Sequence, residues 1–408
     1  MENRGNPERL VVVGGGMAAT RLIEEVTAAA PGRYRITVVG EEPQPAYNRV
    51  LLSCVLAGEA DIADIALKPE QWWRSAGVEF LRGRRAVEID RVARKVRLDD
   101  GARLSYCKLV LATGSRALRL DIDGARLPGV HTFRDLADVE ALSRLGANGK
   151  NVLVIGGGLL GLEAAHGLVR RGARVTLAHV MDRLMERQLD ADGGALLKTL
   201  VETTGVRVLL GADTKRIAGA GRVEQVEFAD GSALEADAVV FAVGVCANAE
   251  LAHDAGLAVN RGVIVNDGLV TDDPDIFALG ECAEHRGVCY GLVEPAYEQA
   301  RVLAARLAGH EAQYGGSVVS TNLKVSGVRV FSAGDHLGRP GADVLCCKDP
   351  RMGVYRKLVV EGDRLTGAIL LGETSGARDC LDLIRSGRSV ANVRDQLMFG
   401  APRLQEAA

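Results

Sequence analysis

The sequence lacks the residue spacings that hold metals or build disulfide frameworks. It has 8 cysteines in 408 residues with no CxxC pair, and 7 histidines with no HxxxH pair. So few cysteines in a chain of this length disfavour a disulfide scaffold, and their spacing predicts no zinc or iron–sulfur site. The histidines form no triad-like group, which disfavours hydrolytic chemistry. We therefore expect a protein without a metal centre.

An excess of one charge and long apolar runs are also missing. The net charge is only −3 and the basic residues are scattered, so electrostatics gives no reason to expect nucleic acid as a partner. No apolar run approaches membrane-spanning length, and the charged start "MENRGNPERL" has no apolar signal core. We expect a cytoplasmic protein that binds neither membrane nor nucleic acid.

Adjacent cysteines form one of the few unusual spacings. Cys346 and Cys347 lie in "ADVLCCKDPRMGVYRKLVV", which has the pattern of a strand. Such a pair can signal a redox couple or a soft-metal site, but the strand context favours two buried thiols.

The sequence does contain two glycine turns of the same design. The stretches "LVVVGGGMAATRL" (10–22) and "NVLVIGGGLLGLEAAHGL" (151–168) each predict a strand, a tight turn and a helix. In this pattern the backbone approaches a pyrophosphate at the start of the helix. The motif is formed by Gly14, Gly16 and Ala19 in the first turn, and by Gly156, Gly158 and Gly161 in the second. Two turns imply two nucleotides, or one functional site and one decayed copy.

An internal repeat extends this similarity. Residues 96–114 align without a gap to residues 226–244, and each stretch has two strand patterns around an Asp-Gly turn. Apolar strands alternate with helical stretches, which predicts parallel sheets covered by helices on both faces. The expected fold class is α/β, with two Rossmann-like dinucleotide-binding domains and a smaller C-terminal α/β domain from about residue 319.

The residues that would bind ribose differ between the two units. Glu41 follows the second strand of the first unit, where a carboxylate accepts hydrogen bonds from ribose hydroxyls; Glu42 is an alternative. In the second unit His179 stands at this place, so the choice between NADH and NADPH stays open. Arg183 or Arg187 could hold a 2′-phosphate, although ordinary surface arginines are the favoured interpretation.

These residues resemble the flavoprotein reductases that bind FAD in one unit and NAD(P)H in the other. The resemblance rests on the first glycine turn, on "LATGS" (111–115) and on "TDDPDIFALGECA" (271–283). The last motif usually ends in Gly-Asp and here ends in Gly280-Glu281. It implies a glutathione-reductase-like arrangement with FAD in the first turn and NADH or NADPH in the second. The implied domains are an FAD-binding domain (1–119 and 246–318), an NAD(P)-binding domain (120–245) and the C-terminal domain (319–408).

A narrower resemblance is also visible. The motifs "AYNRVLLSCVLAGE", "MDRLMERQLD" and "NVRDQLMFG" are similar to the N-terminal flavoprotein portion of the large subunit of bacterial assimilatory NAD(P)H nitrite reductases. In long members of that family an iron–sulfur domain and a sirohaem region follow. The resemblance implies a stand-alone electron-donating subunit or a fragment, which passes electrons to an iron–sulfur, haem or sirohaem protein and could form a homodimer.

Three residues are candidates for catalysis by this resemblance. Arg49 resembles the family's flavin-contacting arginine, whose charge would stabilise an anionic reduced flavin. Glu163 would lie near the nicotinamide amide, although the helix dipole alone also favours a carboxylate there. Cys54 stands where many related ferredoxin-type reductases have a lysine; a lone reactive thiol is one interpretation, and a small buried residue is favoured.

The remaining expectations concern the cofactor contacts and the rival functions. The residues expected to contact the cofactors are Gly14, Gly16, Met17, Ala18, Glu41, Arg49, Thr113, Gly114, Gly156, Gly158, Leu160, Gly161, Glu163, His179, Gly244, Gly280, Glu281 and Glu294. The rival enzymes are a reductase of rubredoxin, ferredoxin or a haem protein, and an NADH oxidase. The rival of another class is a non-catalytic sensor of flavin and nicotinamide redox state.

Overall fold

The computed structural model describes residues 6–325 and 327–399. The helices in these residues are α1 (Met17–Ala29), α2 (Leu52–Ala57), α3 (Glu70–Ser75), α4 (Leu136–Ala147), α5 (Leu159–Arg170), α6 (Ala191–Glu202), α7 (Glu250–Asp254), α8 (Val293–Leu307) and α9 (Ala377–Ser386). The short 3₁₀ segments are Arg49–Leu51, Gly280–Cys282 and Ala391–Phe399.

The strands of the same residues are mostly short. They are β1 (Glu8–Val13), β2 (Tyr34–Gly40), β3 (Val78–Arg82), β4 (Ala86–Asp90), β5 (Lys95–Leu98), β6 (Arg103–Ser105), β7 (Lys108–Leu111), β8 (Ser115–Ala117), β9 (Val130–Thr132), β10 (Asn151–Ile155), β11 (Arg174–His179), β12 (Arg207–Leu210), β13 (Thr214–Ala218), β14 (Gln225–Phe228), β15 (Ala233–Glu235), β16 (Ala238–Phe241), β17 (Val245–Ala247), β18 (Val263–Val265), β19 (Ile276–Ala278), β20 (Ala283–His285), β21 (Val288–Cys289), β22 (Ser320–Val325), β23 (Val328–Gly334), β24 (Asp343–Asp349), β25 (Val354–Glu361) and β26 (Arg364–Leu371).

The N-terminal sheet is parallel, with the strand order β19-β7-β1-β2-β3. Its central strand carries the apolar run from Leu10 to Val13, in which no residue is more than 5% exposed. A parallel strand covered on both faces requires such a continuous run, since neither side meets water. Helices α1 and α8 pack on each other and contribute to the same core.

The second sheet repeats this plan, with the order β12-β11-β10-β16-β9. Its four pairings are all parallel, and β10, β11, β12 and β16 take the places of β1, β2, β3 and β7. The fifth strand differs between the two sheets. In the first sheet it is β19, which follows the other four strands in the chain, whereas in the second sheet it is β9, which precedes them. The aligned segments 96–114 and 226–244 form the equivalent hairpins, followed by β7 and β16.

The C-terminal sheet is antiparallel, in the order β22-β23-β26-β25-β24. One face of the sheet forms a core with α9, and the other contacts α6. Cys346 and Cys347 lie on the edge strand β24, and both are exposed. The expectation of two buried thiols is therefore wrong. The apolar residues of this stretch are typical of a buried strand, but β24 lies at the edge of its sheet and also has polar residues beside the cysteines.

Contacts between residues divide the chain into two compact units. Unit 1 comprises Met1–Leu51, Ala60–Arg116 and Val245–Ser317; unit 2 comprises Leu52–Glu59, Ala117–Gly244 and Val318–Ala408. The short helix α2 belongs to unit 2 because the Arg171 guanidinium donates hydrogen bonds to the carbonyls of Leu56 (2.6 Å) and Val55 (3.0 Å). Two parallel sheets and a third small sheet confirm the predicted α/β class, whereas the three domain boundaries stay predictions. The expectation of helices on both faces is wrong for the second parallel sheet, because one of its faces forms a core with the antiparallel sheet β13-β14-β15, through residues such as Val226 and Phe228. Within the described ranges, no helix is both long and apolar enough to span a bilayer.

Candidate functional site

The first glycine turn brings the end of β1 against the end of β7. Gly14 has φ +113°, and a Cβ atom placed on it would lie 2.1 Å from the carbonyl oxygen of Ala112. Only glycine fits both the left-handed backbone and this close approach. The strand therefore turns at once into α1, and the start of the helix faces the carboxyl edge of the sheet.

The start of α1 has the open space and the free donors that a pyrophosphate needs. Gly16 is its N-cap residue, no side chain of the described residues caps the helix, and beyond its chain neighbours none of their atoms lies within 4 Å of the place where a Cβ would be. The first backbone N–H groups of a helix have no partners inside the helix and carry its positive dipole end. Met17 and Ala18 are the first two residues of α1, so their N–H groups belong to this set. The residues thus fit the diphosphate of FAD.

The late motif of the sequence returns to this turn. Gly280 has φ +80°, and a Cβ placed on it would lie 3.0 Å from that of Ala18. The backbone N–H of Gly280 donates a 2.7 Å hydrogen bond to Oε1 of Gln299 on α8. Gln299 is fully buried, and its Nε2 has no hydrogen-bond partner among the described residues. Two predicted cofactor residues that are far apart in sequence therefore meet at the start of α1.

The acids after β2 take different roles. Glu41 is exposed, and its carboxylate has no hydrogen-bond or ion-pair partner among the described residues. Glu42 instead accepts a 2.5 Å hydrogen bond from the Tyr47 hydroxyl and is paired with the Arg49 guanidinium. Of the two acids, Glu41 is therefore the one available to ribose hydroxyls. The Arg49 guanidinium lies over the Tyr47 ring and beside the end of β2.

The "LATGS" segment is cross-linked to two later segments of unit 1. The hydroxyl of Thr113 donates to the carbonyl of Asn248 at 2.6 Å, and the N–H of Asn248 donates to the carbonyl of Gly114 at 2.9 Å. The hydroxyl of Ser115 donates to Oε2 of Glu281 at 2.8 Å. These bonds bring Thr113, Gly114 and Glu281 close together, and their contact with a cofactor stays a prediction.

The second glycine turn repeats the geometry of the first. Gly156 has φ +120°, and a Cβ on it would lie 2.2 Å from the carbonyl oxygen of Ala242. Gly158 is the N-cap of α5, again with no side-chain cap and no atom within 4 Å of a Cβ position. A Cβ on Gly161 would lie 1.8 Å from the carbonyl oxygen of Gly156, so the helix can approach the turn only through glycine. The second turn therefore fits a second dinucleotide, and its backbone has the same glycine geometry as the first turn.

His179 ends β11 beside this turn and has an acidic partner. Its Nε2 lies 3.0 Å from Oε2 of Glu186, in the loop that follows β11. Of the other predicted residues of this unit, Leu160 is the second residue of α5, and Gly244 follows β16 with φ +116°. In unit 1, Glu294 is exposed in the first turn of α8.

Two of the predicted catalytic residues lie on helices that pack together in unit 2. Cys54 is on α2, which contacts α5, and it is half-buried. Glu163 is on α5 and accepts a hydrogen bond from the hydroxyl of Ser53, the residue before Cys54. Burial raises the pKa of Glu163 to about 7, and the Ser53 hydrogen bond only partly opposes this shift. The carboxyl group therefore changes charge near neutral pH.

The Glu163→Gln variant tests the raised pKa of Glu163 through the pH dependence of the free energy of unfolding. Because the folded-state pKa is raised, wild-type stability is expected to fall as the pH rises from about 4.5 through about 7. That interval corresponds to roughly 3 kcal/mol. The glutamine variant should lose this dependence, which denaturant unfolding of the FAD-loaded protein at pH 5 and pH 8 would measure. Glu224→Gln, at an exposed position, is the matched control. Parallel stability curves for wild type and Glu163→Gln would contradict the assignment.

Three residues that contact these sites were not predicted from the sequence. Gln299, Ser53 and Glu186 each reach a predicted residue from another element. A signal existed only for Glu186, which lies in the quoted motif "MDRLMERQLD" but seven positions beyond the place where an acid is expected.

Comparison with known proteins gives consistent similarities. A family pattern described as pyridine nucleotide-disulphide oxidoreductase matches residues 8–306, and one described as rubredoxin NAD+ reductase C-terminal domain matches residues 320–388. An NAD(P)H nitrite reductase of Bacillus subtilis is 43% identical over 401 residues, covering 98% of this chain and 50% of that protein. The assimilatory nitrate reductase electron transfer subunit of the same organism is 42% identical over 392 residues, covering 96% of this chain and 51% of that protein.

A solved structure shows the same fold. Putidaredoxin reductase, in its covalent complex with putidaredoxin, superposes with a TM-score of 0.85 at 26% identity, covering 94% of each chain. The present chain spans about half the length of the curated relatives that it matches.

Proposed function

Because this chain belongs to the pyridine nucleotide-disulphide oxidoreductase family, we propose that it takes electrons from NAD(P)H onto FAD and passes them to a separate protein acceptor. The pair of uncapped glycine turns carries this proposal, since each is open beside the first turn of its helix. Two such turns provide places for two dinucleotides in one chain. The family and the relatives agree that the chain is an NAD(P)H-dependent flavoprotein oxidoreductase.

The residues of unit 1 would hold FAD. Gly14 and Gly16 would admit its diphosphate, Glu41 would accept hydrogen bonds from its ribose hydroxyls, and Gly280 and Glu281 would complete the site. Bound FAD would accept two electrons from the nicotinamide as a hydride and release them one at a time. Since both reacting centres belong to cofactors, the protein has to position them and exclude water and needs no nucleophile of its own. This assigns Cys54 a packing role on α2.

We propose a nitrite- or nitrate-assimilating iron enzyme as the acceptor. Support comes from the two Bacillus relatives, which are named for nitrite reduction and for electron transfer to nitrate reductase. The cysteine spacing of this chain offers no cluster or sirohaem site, so the iron centre would lie on a further domain or another chain. We also propose a homodimer in the cytoplasm, which sedimentation of the FAD-loaded protein and cell fractionation test.

A second candidate is reduction of rubredoxin or ferredoxin. It is favoured by the match of residues 320–388 to the C-terminal domain of rubredoxin reductases and by the likeness to putidaredoxin reductase. Both candidates use the same two cofactor sites and differ only in the protein that receives the electrons.

An anaerobic titration of the purified protein with NADH and NADPH separates these functions. The flavin absorbance is followed until it bleaches, and oxygen, a rubredoxin or ferredoxin, or a sirohaem nitrite reductase is then added. We expect fast bleaching by one nucleotide, slow reoxidation by oxygen and fast reoxidation by the sirohaem protein. Faster reoxidation by rubredoxin or ferredoxin would support the second candidate, and rapid reoxidation by oxygen would indicate an oxidase. Flavin that neither nucleotide reduces would overturn the proposal in favour of a sensor.

A further inference from the structure

The loop between β11 and α6, residues 180–190, lies directly on the second glycine turn. The N–H of Met185 donates a 3.0 Å hydrogen bond to the carbonyl of Gly157. A Cβ placed on Gly157 would lie 2.6 Å from the imidazole of His179 and 2.8 Å from Cδ2 of Leu184. The end of β11 and this loop therefore pack against the turn that a nucleotide would approach.

The loop is also fixed at its far end. Oδ2 of Asp190 accepts hydrogen bonds from the Tyr355 hydroxyl at 2.7 Å and pairs with the Lys357 ammonium at 3.1 Å, both on β25. Anchored at Gly157 and at Asp190, the loop presents its side chains in one arrangement, which is what selective binding needs.

Within this loop, Glu186 provides the carboxylate that the end of β11 lacks. Its Oε2 accepts a hydrogen bond from Nε2 of His179, since a carboxylate can only accept. His179 is 8% exposed, so the imidazole is held in place and fixes the carboxylate. The other oxygen, Oε1, has no partner among the described residues, and 23% of the Glu186 side chain is exposed. An acceptor oxygen is thus available beside the turn.

Of the two arginines in the loop, Arg183 is already engaged by contacts within the protein. Arg183 donates to Oδ1 of Asp182 at 2.9 Å and to the carbonyl of Leu189, and its side chain packs against Gly194. Arg187 is exposed and has no ion-pair partner among the described residues, so it is the one cation of the loop that a phosphate could recruit. It lies next to a carboxylate that would repel the same phosphate.

We propose that Glu186, oriented by His179, accepts hydrogen bonds from the adenosine ribose hydroxyls and excludes a 2′-phosphate, which makes NADH the electron donor. The inference rests on the proposed function, because it requires that the second turn binds the nicotinamide nucleotide. A dianionic 2′-phosphate is repelled by a fixed carboxylate beside it, so we expect NADH to be favoured on the order of 100-fold in kcat/KM.

Glu186→Gln is the main test, because an amide oxygen can still accept from His179 while the charge is removed. Steady-state rates with NADH and NADPH are measured on the FAD-loaded protein with ferricyanide as acceptor. The NADH to NADPH ratio of kcat/KM should fall at least about tenfold in Glu186→Gln, through a higher KM for NADH and a lower KM for NADPH. Asp182→Asn, the same change at the neighbouring acid, should leave the ratio unchanged, and so should Arg187→Gln.

Each outcome bears on the inference. It is overturned if wild type uses NADPH as well as NADH, if Glu186→Gln keeps the wild-type ratio, or if Arg187→Gln alone abolishes use of NADPH. If Glu186→Gln does not fold, competition of AMP and 2′,5′-ADP against NADH on wild type decides, with AMP expected to compete and 2′,5′-ADP not. If neither nucleotide reduces the flavin, the proposed function fails, and calorimetric binding of NADH and NADPH still tests the selectivity.

Discussion

Gly16→Asp is expected to give a protein that folds normally and has lost most of its affinity for FAD. Gly16 has φ −88° and ψ −162°, an extended backbone that any residue adopts, and a Cβ there meets no atom within 4 Å. Aspartate is a preferred N-cap residue and glycine is almost as good, so the helix should gain only a few tenths of a kcal/mol. The new carboxylate would take the same N–H groups that the FAD diphosphate needs and repel its charge.

The size of the loss follows from this repulsion. Two unit charges 4 Å apart in partly solvated surroundings repel by about 4 kcal/mol, which is roughly a thousandfold in affinity. FAD retained by the purified protein, and FAD affinity by fluorescence titration of the apoprotein, measure the effect. An unchanged unfolding transition of the apoproteins would show that only binding is altered.

Gly158→Asp is the matched change in the second turn, where the N-cap is equally open. It should keep FAD and lose reduction by NADH. The pair therefore assigns one nucleotide to each turn. Full FAD content in Gly16→Asp would exclude the first turn as the FAD site, and loss of FAD from Gly158→Asp would reverse the assignment.

The sequence could predict these turns because their chemistry is local. A strand, glycines at fixed spacing and the start of a helix lie within a dozen residues, and one of the glycines, Gly161, is required by its close contact with Gly156 in the same turn. The repeated Asp-Gly hairpins are local in the same way. Spacing therefore gave the α/β class and the order of the units.

The partners of the site residues could not be predicted, since they come from elsewhere in the chain. Ser53 reaches Glu163 across 110 positions, and Gln299 reaches Gly280 from α8. The pairing of Arg49 with Glu42 rather than with Glu41 depends on how the segment after β2 folds back. Such contacts follow from tertiary packing, which no local pattern encodes.

Asp190 is the other residue at which a large effect is expected. It is the N-cap of α6, where Oδ1 accepts from the N–H of Gly193 at 3.0 Å, while Oδ2 meets Tyr355 and Lys357. Burial alone would raise the pKa of Asp190, but the hydrogen bonds from Tyr355, Gly193 and Lys357 outweigh burial and lower it. Lys357 is only 8% exposed, so Asp190 compensates a nearly buried charge.

Asp190→Ala is expected to lower the free energy of unfolding by about 3–5 kcal/mol, because it leaves Lys357 buried without its counter-ion and α6 without its cap. Urea unfolding of the FAD-loaded protein at pH 7 measures this loss. Asp190→Asn keeps an acceptor for the N–H of Gly193, and its amide NH2 can donate to the Tyr355 hydroxyl, so it should lose less than Asp190→Ala. Combining Asp190→Asn with Lys357→Met should restore much of the loss, since no buried charge then lacks a partner.

The double variant also separates stability from function. If the Asp190 contacts matter only for folding, restoring stability should restore the KM for NADH. If they also fix the loop that carries Glu186, the double variant should fold well and still show a raised KM for NADH, because the loop has lost its charged anchor on β25. We expect the second result. Additive losses in the double variant, with no recovery of stability, would show that Asp190 and Lys357 do not act as a pair.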